Sequence, residues 1–234
     1  MRKIFLIAVL ATLFNSSYAQ KESDKKKVEG SGNVITKTFT VKSFDQLEVG
    51  GVFSVQLSQG GEEVKVEADD NLMELFEVKN EGSKLIVTMK KGVNISTKSK
   101  MKVYISFKKL NSMDLHTVGN VSSVGSLSFD KLTISNNSVG NVDLKFAAQS
   151  VKIDNNSVGN VMLEGKADDV RIKNNSVGSI HAADFVVQTM DIDNNGVGSA
   201  EVNANKELKI KDSFLGKVKN KGAATPKRSQ RVTI

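Results

Sequence analysis

From Leu132 to Ile210 the apolar residues fall in pairs with one polar residue between the members: Leu132 and Ile134, Val151 and Ile153, Val170 and Ile172, Met190 and Ile192, Leu208 and Ile210. A second set, Val142 and Leu144, Val161 and Leu163, Ile180 and Ala182, Ala200 and Val202, keeps the same alternation. A period of two predicts strands with one buried face. A helix needs spacings of three and four, which are missing. Between the sets the chain writes "NNSVG" from Asn136, Asn155 and Asn174, and "NNGVG" from Asn194. Aligned on their glycines, Gly119, Gly140, Gly159, Gly178, Gly198 and Gly216 stand 21, 19, 19, 20 and 18 residues apart.

Two short strands and their bends cannot bury an apolar face within one such unit, so each unit must cover its neighbour. The pattern therefore predicts an all-β, parallel β-helix of about 19-residue coils, rising roughly 4.8 Å per coil. Left-handed hexapeptide helices need an apolar residue every sixth position. Stepping by six from Leu132 gives Ser138, Leu144 and Ser150, so that pattern fails and the expectation is a right-handed solenoid. Asn tolerates left-handed backbone geometry and can stack into amide ladders, which makes Asn137, Asn156, Asn175 and Asn195 corner scaffold rather than ligand contacts.

The polar positions support the same register. Asp154, Lys173, Asp193 and Lys211 fall in one outward column, and Arg171, Asp191 and Lys209 in the column two residues earlier. Opposite charges facing one another on adjacent strands favour that pairing. As a binding site this mixed face is a weak candidate.

Residues 30–112 lack the repeat but keep the alternation, in segments such as "FSVQLSQGG", "SKLIVTMKK" and "MKVYISF" separated by Gly, Asn and Asp turns. A helical turn is expected only near Asn71 to Phe76. This region is expected to form an irregular all-β cap continuous with a solenoid over 113–225. At the far end Lys209, Lys211, Lys217, Lys219 and Lys221 occupy outward positions of the last coil, where they protect an exposed edge or attract an acidic polysaccharide or lipid headgroup. Pro226 is expected to stop pairing ahead of a basic tail at 226–234.

The first residues, "MRKIFLIAVLATLFNSSYAQ", join a basic start, an apolar run too short to span a bilayer and a small-residue Ser17-Tyr18-Ala19 end. They read as a signal peptide at 1–19, followed by a disordered basic leader at 20–29. Cleavage removes Arg2 and Lys3, leaving +5 of the formal +7 charge. The expected setting is periplasmic, extracellular or on the cell surface. With no cysteine, the chain is expected to be neither a lipoprotein nor disulfide-stabilised, and no mature segment is apolar enough to cross a membrane.

Tryptophan is absent, and Tyr104 is the one tyrosine left after cleavage, which argues against a stacking platform for sugars or single-stranded nucleic acid. His116 and His181 fall in different columns and are not expected to share a metal. No serine lies in a nucleophile elbow, no phosphate-cradling Gly-Lys-Ser/Thr loop occurs, and the repeats lack the Asp spacing of calcium rolls. Asn136, Asn155 and Asn174 match the glycosylation triplet, but a ladder would bury the amide to be modified. No catalytic, cofactor or metal residue is therefore assigned, and no nucleic-acid partner is expected.

Gly30-Ser31-Gly32, the stretch "FDQLEVGGVFSVQLSQGGEEVKVEADDNLM" from Phe44, the "SKLIVTM" strand and the Gly-centred repeats together resemble the auto-transporter adhesin, head GIN domain family, whose members come largely from Bacteroidota. Where members carry Gly-Ile-Asn or Gly-Ile-Asp, this chain has Gly51-Val52-Phe53. The resemblance implies a right-handed β-helix in an envelope or extracellular setting and supplies no functional residues. The leading expectation is a non-enzymatic adhesin-like module recognising polysaccharide or another surface component. The alternatives are a polysaccharide lyase or hydrolase using outward Lys, Arg and Asp, and a self-associating envelope component.

Overall fold

The computed structural model describes residues 26–213 and 215–229, so the expected signal peptide at 1–19 lies outside the described residues. The chain is all-β, with stacked parallel coils forming a solenoid of about six turns. In chain order the strands are β1 (Lys26–Glu29), β2 (Val34–Phe39), β3 (Gln46–Gly51), β4 (Ser54–Gln59) and β5 (Glu63–Asp69). A short 3-10 turn at Asp70–Leu75 precedes β6 (Phe76–Glu81), β7 (Lys84–Met89), β8 (Val93–Ser96) and β9 (Lys102–Phe107). The stack continues through β10 (Ser112–Thr117), β11 (Val121–Ser123), β12 (Leu127–Asn136) and the long strands β13 (Val142–Asn155), β14 (Val161–Asn174), β15 (Ile180–Asn194) and β16 (Ala200–Asp212). It ends with β17 (Val218–Asn220) and β18 (Pro226–Arg228).

The repeat columns are in register. Ile134, Ile153, Ile172, Ile192 and Ile210 are successive parallel partners, as are Leu132, Val151, Val170, Met190 and Leu208. All of these are buried, which aligns one hydrophobic stripe down the stack. Within a unit the two expected strands are one: β13, β14 and β15 each run unbroken from the residue after Gly-Asn or Gly-Ser to the first Asn of the next corner, bending midway, and β16 runs likewise to Asp212. Phe107, Phe129, Phe146 and Phe185 fill that bend as a column, with successive ring centroids 5.9, 5.7 and 4.8 Å apart. The main interruption of the strand is the Asn-Ser-Val-Gly corner.

At that corner the inner ladder belongs to the first Asn of each pair, which corrects the expectation that placed it on the second. Asn136 donates its amide to Asn155 Oδ1 at 2.8 Å, Asn155 to Asn174 at 2.7 Å, and Asn174 to Asn194 at 2.6 Å. Asn194 donates onward to the Gly216 carbonyl, 2.8 Å away. These four side chains are almost wholly buried, and Ser157 and Ser176 donate to the same amide oxygens two residues before them. The reason is strand phase: Asn155 lies two residues beyond Ile153 and so points inward, while Asn156 points to water. The outer Asn residues form a looser exposed ladder, Asn175 to Asn156 at 3.1 Å and Asn195 to Asn175 at 3.4 Å.

Coil order departs from chain order at the beginning. β3 pairs in parallel with both β7 and β10, and β4 with both β9 and β11. The chain therefore lays down its second coil first, leaves through β5, the 3-10 turn and β6, returns to build the terminal coil with β7 and β9, and then steps past to β10. Antiparallel strands close this end, β6 on β7 and β2 on β5 on β9. That supplies partners for a parallel edge that would otherwise stay open.

Two expectations at the termini are corrected. Residues 26–29 are not part of a disordered leader: they form β1, which pairs with β8 while Val28 packs against the core. Pro226 does not end the pairing but opens β18 against 208–210 of β16, a first-residue position where a missing N–H is tolerated. Arg228 fixes this strand by donating to Asp212 at 2.5 Å and to the Val218 carbonyl at 2.8 Å.

A polar clasp ties the chain start to the cap. Ser31 and Asn33 donate side-chain hydrogen bonds to the two oxygens of Asp70, at 2.5 and 2.9 Å, and Thr97 donates to Asp69 at 2.8 Å. A Cβ at Gly30 would lie 1.9 Å from Asp69 Oδ2, so glycine alone fits there. The hydroxyls of Ser99 and Thr97 hold the Asp69 carboxyl below its ordinary value, and the Ser31 and Asn33 side chains do the same for Asp70.

Two outcomes follow from this packing. Asn155→Ala strands the amide of Asn136 and the Ser157 hydroxyl in the core, so urea unfolding should show a loss of about 2–3 kcal/mol. Asn156→Ala, on the solvent side of the same corner, should change it by less than about 0.5 kcal/mol. Because both clasp carboxyls are depressed in the folded chain, their contribution is complete above the ordinary aspartate range and is lost as pH falls through their folded values. The urea midpoint should therefore drop below about pH 4, and Asp69→Asn with Asp70→Asn should flatten that drop.

Candidate functional site

The second arms of β12 to β16, with β18, make one sheet whose outer face carries the ionic columns. Register places Lys152, Arg171, Asp191, Lys209 and Lys227 in one column. Asp154, Lys173, Asp193 and Lys211 form the second. A third, one step further from the corner, holds Ser150, Asp169, Thr189 and Glu207. The first two are the columns expected from the sequence, the first extended by Lys152 and Lys227; the third was not read there.

Two shallow depressions lie on this face. One, of about 470 Å³, is lined by the first and third columns between β13 and β16. The other, of about 580 Å³, continues across β14, β15, β16 and β18 and holds Arg171, Lys173, Lys209, Lys211, Lys227 and Arg228 with Asp191 and Asp193. Arg171 Nε lies 3.9 Å from Asp191 on the next coil, Lys152 Nζ 3.2 Å from Asp154 on its own strand, and Lys209 and Lys227 each 3.5 Å from Glu207. The Thr189 hydroxyl donates to Asp169. All of these side chains are at least a third exposed where an ion pair is formed, so each pair adds at most a few tenths of a kcal/mol to stability. The face thus presents alternating donors and acceptors to water on a fixed backbone grid.

The lysines of the last coil do not share one face. Lys209 and Lys211 join the polar depression, whereas Lys219 and Lys221 stand on the other arm, 3.9 and 3.6 Å from Glu201. His116 Nε2 lies 2.9 Å from Asp114 on β10, and His181 sits on the first arm of β15. Among the described residues no three His, Asp or Glu side chains are grouped to hold a metal ion.

A second feature escaped the sequence reading, which used Val-Gly only for alignment. Val118, Val139, Val158, Val177 and Val197 bridge in parallel from coil to coil, and each is a little over half exposed. Asn side chains border them: Asn120 and Asn141 accept from the backbone N–H of Asn141 and Asn160, at 3.0 and 2.9 Å. The glycine after each valine lets neighbouring corners touch. At Gly159, φ is +136° and a Cβ would stand 2.2 Å from the Gly140 carbonyl oxygen. The signal was present in the sequence as a valine recurring just outside the alternating phase.

Fold and face define a capped β-solenoid that displays a polar grid along one side and an apolar ridge along one corner. The family described as putative auto-transporter adhesin, head GIN domain, matches residues 43–224, and the chain belongs to it. Solved structures of similar shape include a putative adhesin from Bacteroides fragilis at 26% identity and TM-score 0.73, covering 86% of this chain and 100% of that one. A putative adhesin from Parabacteroides distasonis has 22% identity and TM-score 0.64, covering 88% and 96%. A putative lipid binding protein from the same species has 18% identity and TM-score 0.63, covering 88% and 95%. No curated protein matches the chain.

Proposed function

We propose that the mature chain is an exported, non-enzymatic, adhesin-like module of the bacterial envelope, and that it holds polysaccharide or another surface component along the polar face. The observation that carries this reading is the grid itself. Hydroxyl, carboxylate and cationic groups recur coil after coil in three columns, over two joined depressions. A hydroxyl-rich polymer lying across the strands meets a donor or acceptor at each coil. Retention of the purified chain on a polysaccharide array or on envelope-bearing cells is the expected result. Absence of retention on every glycan and every cell type would overturn the proposal.

A lyase or hydrolase is less well supported. General acid–base work needs a carboxyl or base whose environment separates it from its neighbours. On this face Asp169 accepts from Thr189, Asp191 stands beside Arg171, and Glu207 lies between Lys209 and Lys227, all open to solvent.

Self-association is a second reading, favoured by the valine column. Equal steps between identical residues make the ridge self-complementary under a two-fold rotation, so two copies can pack ridge to ridge. If they do, sedimentation will show a dimer that Val158→Asp with Val177→Asp converts to monomer. A wild-type chain that sediments as a monomer throughout the micromolar range removes this reading.

A further inference from the structure

The two inner ionic columns are in phase. Arg171 and Lys173 are both cationic, Asp191 and Asp193 on the next coil are both anionic, and Lys209 and Lys211 on the coil after are both cationic again. Lys227 adds a further cation one coil beyond. In these two columns charge on β14 to β16 is therefore banded by coil rather than chequered, with Asp169 and Glu207 of the third column flanking the cationic bands. All three bands lie in the same depression, of about 580 Å³.

Stability does not call for banding. Attraction between neighbouring coils needs only that the sign alternate down each column. That condition is met equally well by columns out of phase, which would also pair opposite charges two residues apart on each strand. β13 shows this alternative, with Lys152 Nζ 3.2 Å from Asp154. In-phase columns instead set like charges side by side on three consecutive strands, at a small cost in repulsion. A ligand that reads the bands accounts for them.

We propose that this depression binds a linear acidic polysaccharide carrying one carboxylate or sulfate on every second sugar. The inference rests on the polysaccharide reading above and names its ligand class. The two cationic bands are two coil rises apart, about 9.6 Å, close to the advance of a disaccharide in an extended chain. An anion on alternate sugars meets Arg171 with Lys173, and the next meets Lys209 with Lys211, through charge-assisted hydrogen bonds. The uncharged sugar between them lies over Asp191 and Asp193, whose carboxylates accept from its hydroxyls. A polymer charged on every sugar drives one anion against the aspartate band. A neutral polymer offers the cationic bands no charge-assisted hydrogen bond and finds no Trp or Tyr face among these residues to stack on. A planar anionic membrane meets the aspartates together with the lysines.

Equilibrium binding of the purified mature chain to four probes of matched size tests this: hyaluronan, with one carboxylate per disaccharide; polygalacturonate, with one per sugar; neutral dextran; and phosphatidylglycerol vesicles. Hyaluronan is expected to bind roughly tenfold tighter than polygalacturonate, although simple charge attraction ranks them the other way. Lys173→Gln with Lys211→Gln should weaken hyaluronan binding by about tenfold or more while lowering the urea midpoint only slightly. Asp191→Asn with Asp193→Asn should raise polygalacturonate affinity until the preference disappears.

Tighter binding of polygalacturonate, or a hyaluronan affinity indifferent to the lysine substitutions, overturns the inference. Dextran retained as well as hyaluronan overturns the charge repeat while leaving the polysaccharide reading intact. Binding to vesicles alone replaces both with a membrane surface. If none of the four probes binds, this inference falls, and the array and cell measurements decide the broader proposal separately.

Discussion

Each coil of this protein is held by the one before it, backbone amide to backbone carbonyl in parallel register, and no coil has a core of its own. The buried asparagine ladder is where that dependence is most acute. Asn155 receives a hydrogen bond from Asn136 and gives one to Asn174, so a slip of one residue between coils would leave several buried polar groups without partners. The same slip would turn Ile153 and Ile172 outward and bring the ionic columns inside. Ladder, aliphatic stripe and phenylalanine column thus select the same register.

A stack of this kind has two ends and must treat each. The beginning of the chain solves its end with antiparallel strands and the Asp69–Asp70 clasp, where Gly30 passes too close to Asp69 for any side chain. The other end is finished lightly, by the three-residue strands β17 and β18 and by Asn220, whose amide donates to the carbonyls of Ala204, Gly222 and Ala224. Short strands rich in lysine and opened by proline offer little for another chain to extend.

Because the register is rigid, whatever projects outward is displayed with a fixed pitch. An adhesin-like module benefits from this, since an extended polymer can be matched at several points without the protein having to order itself on binding. The cost of weak individual contacts on an open, solvated face is offset by their number. The valine ridge follows the same pitch on a different edge, so the molecule carries two linear features of unlike chemistry along one axis.

The alternation at Val151 and Ile153, the glycine interval and the charge columns were enough to specify strands, coils and their register, because each coil repeats the same local instructions and the answer for one is the answer for all. The 3-10 turn near Asn71 was legible for a similar local reason. Which asparagine of each pair turns inward was legible as well, because the alternation through Ile153 carries one step further onto Asn155, although the ladder was expected on its neighbour. The insertion of β3 and β4 between coils that follow them in the chain was decided only in three dimensions, since residues 30–112 contain no repeat to order them. The pairing of Lys26–Glu29 and of Pro226–Arg228 likewise depended on edges supplied by distant strands. Sequence by itself determined the periodic part of this protein, where neighbours in space are equivalent positions one coil apart. Tertiary structure alone decided the ends, because those arise from contacts between segments that share no local pattern.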